Sequence, residues 1–422
     1  MKKLTKQKIK QTLKDTKLKR RSQRCKVFIL KIDQSRLNSK ELEQLKMFFI
    51  EAKWLYNNVL ASKDPFHYNY KNTTVTVYNK DKQLEQRQLS FLSARVRYDI
   101  IKQTRQNIIN LSKAKTVGLK IGELKFKSDI NSINLYHYKT THRIVDNNHI
   151  KIASIKRPLI VKGLKQIQNH YELANAKLLK KPSGYYIAIT CYEFIIFDNI
   201  SKSKKIKEVG LDFGIKNNIT TSEAEIYNVR VEESERLKRL QRQFAKKQKR
   251  SNNSYKTKLL IRKEYEKLTN KKVDAANKIV HALLTNYTFI YIQDENIKSW
   301  HSDRKKKFSK VVQHSCMGLI KSKLSNSSKV KVISKWYPST KQCYICNRMN
   351  DIGVSRTYSC ECGLVEDRDV KAAKTIMMFG KNQLTYARPV VKKNDRVPME
   401  SREFKSVEKM TTGEQVLNRT SS

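Results

Sequence analysis

Two tight cysteine pairs constrain this chain more than any other feature. Cys343-Tyr344-Ile345-Cys346 is followed, after thirteen residues, by Cys360-Glu361-Cys362-Gly363. Four thiolates so spaced close a tetrahedral shell around zinc and leave no open position, so the metal would organise a knuckle and do no chemistry itself. A redox-active pair is the alternative use of such cysteines. The chain holds seven cysteines, an odd number, and four of them crowd between 343 and 362. That suits a metal site in a reducing compartment better than a disulfide framework. Cys25, Cys191 and Cys316 are scattered and read as structural.

Charge points to the partner. Across 422 residues, 89 Lys and Arg stand against 38 Asp and Glu, a formal net charge of +51 spread along the whole sequence. A self-repelling field of this size is tolerated where phosphates neutralise it and released counterions drive binding, so nucleic acid is the expected ligand. Ribosomal-type and membrane-surface proteins share such a balance. Long helical patterns, 9% aromatic residues and the compact cysteine cluster suit an enzyme better. Residues 1–26 are densely basic without the apolar run of a signal peptide, and no segment reaches the 18 or so apolar residues of a membrane span. The expectation is a cytoplasmic protein with no membrane partner.

Hydrophobic periodicity divides the chain. Residues 25–33 alternate like a strand, and Leu42, Leu45, Phe49, Ala52, Tyr56 and Val59 mark a helix beginning near Glu41. A second helix is indicated by Leu89, Leu92, Val96, Ile100, Ile108 and Leu111, with Arg95, Arg97, Lys102 and Arg105 on its opposite face. From 118 to 197 short strands alternate with Gly and Pro, as in a β-barrel or curled sheet. A polar linker at 201–207 precedes two strands over 208–229 that turn at Lys216-Asn217-Asn218. Helices follow around Leu237 to Phe244 and over 255–284, broken at Ser251-Asn252-Asn253-Ser254. Strands at 289–293 and 330–334 interleave with helices at 315–324 and 369–379, the pattern of an α/β domain. The stretch 381–422 has little apolar periodicity and is expected to be disordered.

Three acidic segments lie in this last region. Val209-Gly210-Leu211-Asp212-Phe213-Gly214 sets an acid on a strand between two glycines, which would allow close approach of a phosphate backbone. Alone it is weak, since strand acids are often turn or salt-bridge partners. Ile290-Tyr291-Ile292-Gln293-Asp294-Glu295-Asn296 runs an apolar strand directly into two acids. Glu366-Asp367-Arg368-Asp369 clusters acids at a helix start, where capping accounts for one of them. Carboxylates converging from three segments repel one another and take up protons unless divalent cations sit among them. That is the ground state of a two-metal nuclease, in which one magnesium generates and orients the attacking hydroxide and the other stabilises the leaving 3′ oxygen.

The ordered set Gly210-Leu211-Asp212-Phe213-Gly214-Ile215-Lys216-Asn217, an acidic strand end, Pro338-Ser339-Thr340-Lys341-Gln342-Cys343, the second cysteine pair and Asp367-Arg368-Asp369-Val370-Lys371-Ala372-Ala373 resembles the TnpB family. The smallest type V CRISPR effectors are similar. The motif resemblance spans about 206–380, and residues 20–200 resemble the family only in plan. It implies a multidomain α/β fold: a basic arm at 1–24, a β-barrel wedge domain at 25–37 and 115–200, and a helical recognition domain at 38–114. An RNase H-like RuvC nuclease domain would occupy 206–335 and 364–380, with a zinc-binding, target-nucleic-acid-binding insert at 336–363. The implied activity is RNA-guided cleavage of DNA by a transposon-encoded or compact CRISPR enzyme, with guide RNA and target DNA as partners, a monomer or homodimer. The implied catalytic, magnesium-binding acids are Asp212, Glu295 and Asp369, with Asp294 the alternative to Glu295 and Arg368 a phosphate contact or brace. Cys343, Cys346, Cys360 and Cys362 would hold structural zinc.

The chain departs from the family pattern in three places. Gln293 stands where many relatives carry the glutamate of a Glu-Asp-Leu-Asn strand end. Glu295, two residues on, would share its face if the strand continues. Lys371 replaces the asparagine of Asp-x-Asn-Ala-Ala, and Asn347 replaces a glycine after the first cysteine pair, where Asn can adopt a left-handed turn. Two other readings stay open: a nuclease-inactive RNA-guided repressor, which the altered strand end favours, and a guide-independent accessory of transposition. His142, His149, His281, His301 and His314 show no paired spacing with the acids or cysteines. Trp300 and Tyr337 could stack on bases or be buried.

Overall fold

The computed structural model describes residues 2–79, 81, 83–194, 206–301, 308–353 and 355–385. Most of the expected 201–207 linker, and residues 386–422 of the expected disordered tail, lie outside the described residues. The chain divides into two compact units, Met1–Lys204 with Glu233–Lys267, and Lys205–Glu232 with Leu268–Ser422.

The first unit is built on an antiparallel sheet. The basic helix α1 (Lys2–Arg21) leads into β1 (Gln23–Ile32), and α2 (Ser39–Ala61) follows. Asn38 and Glu41 close a reciprocal capping box at the start of α2, which satisfies two of its free amides. A hairpin of β2 (Thr74–Tyr78) and β3 (Leu84–Gln88) stands before α3 (Ala94–Thr116). That hairpin lies where the sequence periodicity indicated helices alone. Helix α3 begins at Ala94, later than Leu89, because the buried Glu51 carboxylate takes the amides of Ser90, Phe91 and Leu92 and Ser93 then caps. Arg97 is not on the exposed basic face as expected. It is buried, donating to the Leu92 and Tyr70 carbonyls.

Six further strands complete the sheet: β4 (Ser132–Leu135), β5 (His142–Ile144), β6 (His149–Ile152), β7 (Leu159–Lys162), β8 (Glu172–Lys181) and β9 (Gly184–Phe194). Their order is β4-β8-β9-β1-β7-β6-β5, every pair antiparallel, with no pairing of β4 to β5 among the described residues. Ile32, Phe48, Ala52, Val96, Ile150, Ile152 and Ile187 fill one core beneath sheet and helices. Helix α4 (Glu235–Ala245) also lies in this unit, and α5 (Asn252–Asn286) has residues in both. The break before α5 falls at 246–251, slightly earlier than the polar run suggested. Arg250 turns with φ 67° and the Ser251 hydroxyl accepts the Ser254 amide, so the helix restarts at Asn252.

The second unit holds a mixed sheet ordered β12-β11-β10-β13-β14. Strands β10 (Glu208–Phe213), β13 (Phe289–Gln293) and β14 (Val330–Ile333) run parallel, while β11 (Ile219–Thr221) and β12 (Ile226–Tyr227) fold back antiparallel. Three strands therefore occupy the span expected to hold two. Alternation decides what each face does. Val209, Leu211, Ile290 and Ile292 enter a core with Ala276 and Leu283 of α5 and with Met317, Ile320 and Leu324 of α7 (Met317–Ser325). Helix α7 is the one expected at 315–324, and the short helix α6 (Ser309–His314), which the periodicity did not indicate, is separated from it by Cys316 at φ 58°.

Gly210 and Tyr291, on the opposite face, meet α8 (Arg368–Gly380) instead. The glycine before Asp212 thus serves protein packing and not phosphate approach. A Cβ on Gly210 would stand 1.9 Å from the Ala373 carbonyl oxygen of α8. A small hairpin, β15 (Thr357–Ser359) with β16 (Val365–Asp367), belongs to the cysteine segment. No helix among the described residues is long and apolar enough to cross a membrane.

Candidate active site

Strands β10 and β13 end side by side, since Leu211 pairs with Ile292 in parallel register. Their next residues, Asp212 and Gln293, share the face that α8 covers. A cavity of about 410 Å³ opens at these strand ends, lined by Asp212, Glu295 and Asp369 together with Lys216, Lys335, Arg356 and Arg368. Such a crevice beyond the carboxyl ends of parallel strands is the usual ligand position in open α/β sheets.

Each acid reaches the cavity by a different route. Asp212 rides on β10. Glu295 lies two residues past β13, where its amide turns back to the Gln293 carbonyl at 2.8 Å. Asp369 sits in the first turn of α8, freed from capping because Asp367 is the N-cap, accepting the amides of Asp369 and Val370. One acid caps, as expected, and another faces the cavity. Asp294 does not line it: its carboxylate pairs with Lys321 at 2.6 Å on the exposed side, and the same ammonium binds the Glu295 carbonyl.

The electrostatics are those of crowded carboxylates. Burial, then the charges of Asp369 and Glu295, holds the Asp212 carboxyl well above the usual carboxylate range. Burial likewise raises Glu295, with Lys321 opposing. Asp369 is met by Arg356 at 3.1 Å and by the Asn217 amide at 3.4 Å. Arg368 lines the cavity and donates to the Gly353 carbonyl at 3.3 Å. Lys335 and Arg356 went unmarked in the sequence, where nothing separates them from the other basic residues, and Lys216 stood there only as part of the Gly210 to Asn217 motif and its turn. Trp300 and Tyr337 both join the lining, Tyr337 buried and stacked on Phe379 with ring centroids 3.8 Å apart.

Gln293 is 3% exposed and fully engaged. Its amide nitrogen donates to the carbonyls of Ser334 and Lys335 at 3.2 Å and of Tyr337 at 2.6 Å, and its oxygen accepts the Ser339 hydroxyl at 2.8 Å. Lys371 is also buried, donating to the Ser339 carbonyl at 3.0 Å with its ammonium 3.9 Å from the centre of the Tyr358 ring.

The cysteines converge. Sγ of Cys343 lies 3.8 Å from that of Cys362, Cys346 lies 3.4 Å from Cys360, and all four sulfurs are within 4.8 Å of one another. Zinc–sulfur bonds of about 2.3 Å in a tetrahedron put sulfurs about 3.8 Å apart, so the four thiols are close enough together to hold zinc. Asn347 at φ 62° and Gly363 at φ 91° turn the chain after each pair, the conformation expected of Asn347. Among the described residues this is the group of His, Cys, Asp or Glu side chains ready-made for a metal. The three carboxylates share a cavity without forming so tight a shell. Cys25 is exposed, while Cys191 and Cys316 are buried.

Comparison with known proteins matches the same region. A family described as "Probable transposase" matches residues 191–300, and the "Cas12f1-like, TNB domain" matches 318–376. A "Putative RNA-guided DNA endonuclease" of Streptomyces pristinaespiralis is 24% identical over 246 residues, 56% of this chain and 60% of that protein. "TnpB-like protein L79" of Acanthamoeba polyphaga mimivirus is 31% identical over 137 residues, 28% of this chain and 25% of that one. The matches thus span from a quarter to three-fifths of these relatives' own length. Among solved structures, the "Cryo-EM structure of the Cas12f1-sgRNA-target DNA complex" aligns at TM-score 0.47 and 12% identity, over 84% of this chain and 99% of that one.

Proposed function

Because this chain is a TnpB-family protein, we propose that it is an RNA-guided DNA endonuclease that hydrolyses phosphodiester bonds at the Asp212, Glu295 and Asp369 cavity. The observation that carries the reading is that three acids from separate segments line one cavity with four cations. The mixed β10 to β14 sheet, with helices on both faces, is the support for an RNase H-like RuvC domain. By the same resemblance the seven-stranded sheet would be a wedge domain, α2 and α3 a recognition module, and the cysteine segment a target-nucleic-acid-binding insert. Guide RNA and target DNA are the proposed partners, in a transposon or compact CRISPR setting.

The donor set suits magnesium. Three carboxylate side chains supply hard oxygen ligands, and the raised Asp212 carboxyl reflects a crowding of negative charge that a cation relieves. Bound magnesium supplies activation of water and stabilisation of the leaving oxygen. The chain's own residues do the rest. Lys216, Lys335, Arg356 and Arg368 hold the phosphate backbone, and Arg356 can pass from Asp369 to a phosphate oxygen. Water adds to phosphorus, the bond to the 3′ oxygen breaks, and the products are a 5′-phosphate and a 3′-hydroxyl.

Gln293 favours one second reading, a nuclease-inactive RNA-guided repressor. The test is co-expression with native flanking DNA, sequencing of copurifying RNA, and cleavage of a guide-matched plasmid in magnesium. Under the nuclease reading, Asp212→Ala and Glu295→Ala each lower cleavage by at least about a hundredfold while target binding persists. Bound RNA and target with no cleavage by the wild type would establish the repressor instead.

A further inference from the structure

Two of the three positions that depart from the family pattern, Gln293 and Lys371, meet through one residue. Ser339 gives its hydroxyl to Gln293 Oε1 at 2.8 Å and its carbonyl to Lys371 Nζ at 3.0 Å. All three are buried, at 3%, 5% and 0% exposure. Beyond Lys371 the path continues to the cysteine cage. The ammonium lies over Tyr358, the Tyr358 hydroxyl takes the Asn350 amide at 2.8 Å, and the same amide group reaches Cys360 Sγ at 3.1 Å. Lys371 also interacts electrostatically with Cys343 and Cys360. In the other direction, Gln293 is the strand neighbour of Asp212 and lines the cavity with Tyr337 and Ser339.

We propose that Gln293 is a positioning residue which, through Ser339 and Lys371, ties the carboxylate cavity to the four-cysteine cage, so that the occupancy of one metal site governs the other. The proposal rests on the cavity reading above. Three carbonyl oxygens converge on the Gln293 amide nitrogen, and only a donor satisfies them. A glutamate there would set a carboxylate oxygen against those carbonyls and beside Asp212. The acid that family resemblance would put at 293 is therefore excluded by its surroundings, and Glu295 reaches the cavity from beyond the strand end. Lys371 completes the link as a buried positive charge beside a cage whose four thiolates leave bound zinc with an excess of negative charge.

The experiment uses the full chain, with Mn2+ as the cavity probe read by electron paramagnetic resonance and zinc release read with a chromogenic chelator. Circular dichroism checks that each variant keeps its fold. Gln293→Glu should bind Mn2+ at least tenfold more weakly, although it adds a carboxylate, and should release zinc at least tenfold faster. Ser339→Ala, which removes one hydroxyl, should move both readouts the same way by about threefold, and it stands alone if Gln293→Glu does not fold. Tighter Mn2+ binding by Gln293→Glu with new or faster cleavage would overturn the proposal and make 293 a lost catalytic position. Unchanged zinc release in both variants would overturn the coupling. Neither readout needs cleavage, so an inactive wild type with both shifts intact would sink only the nuclease reading.

Discussion

Single side chains in this molecule are committed by their neighbours more than by their type. Asp294 and Glu295 are adjacent acids, yet Lys321 holds one outward while the other lines the cavity. Asp367 and Asp369 divide capping from cavity lining in the same way. Glu295→Gln is accordingly expected to reduce cleavage by at least about a hundredfold and Asp294→Asn by less than about threefold, measured on one guide-matched substrate. His142 shows the same dependence on surroundings in the first unit. It is 2% exposed with Nε2 unpaired, and burial pulls its imidazole from 6.5 down to about 4. Between those values the unfolded chain takes a proton that the folded chain refuses, so stability should fall as pH drops from 6.5 to 4. Denaturant unfolding of His142→Phe across that window should show a shallower pH slope than the wild type.

Elements were legible in the sequence where periodicity was long and unbroken, as in α2, β13 and α8. They were obscured where a tertiary contact moved a boundary. Glu51 delays α3 by occupying three amides, and Cys316 divides α6 from α7, neither of which follows from apolar spacing. The β2–β3 hairpin did carry a signal, the alternation of Thr74, Val75, Thr76, Val77 and Tyr78, but helical patterns on both sides masked it. At the site, acids at strand and helix ends were readable because their positions follow from local pattern. Arg356 was not, because only folding brings the cysteine segment to Asp369. The packing of α8 on β10 makes a sharp test. Gly210→Ala forces a Cβ against the backbone of α8, which cannot yield as a flexible side chain would, and should cost about 3 kcal/mol in thermal unfolding. Glu51→Ala leaves three backbone amides, that of buried Leu92 among them, without their acceptor and should destabilise the first unit by about 2 kcal/mol.

At the scale of the whole molecule, charge dominates. A net charge of +51 predicts nucleic-acid affinity that falls steeply with salt, by roughly a thousandfold or more between 50 and 200 mM if six or more phosphates are contacted. Filter binding at several salt concentrations gives the slope, and a flat slope would contradict a backbone-dominated interface. Chelation should release zinc and loosen the cysteine segment while the first unit, which has no share in that cage, keeps its melting transition. The close seat of α8 on Gly210 has a further consequence for the ribosome. Asp212 emerges 157 residues before Asp369, the helix that carries Asp369 ends at Gly380, and that helix must dock before the acids can share a cavity. At about 5–20 residues per second, the interval is on the order of ten to thirty seconds. A nascent chain can therefore begin folding around its first acid while the cavity that gathers all three is still unassembled.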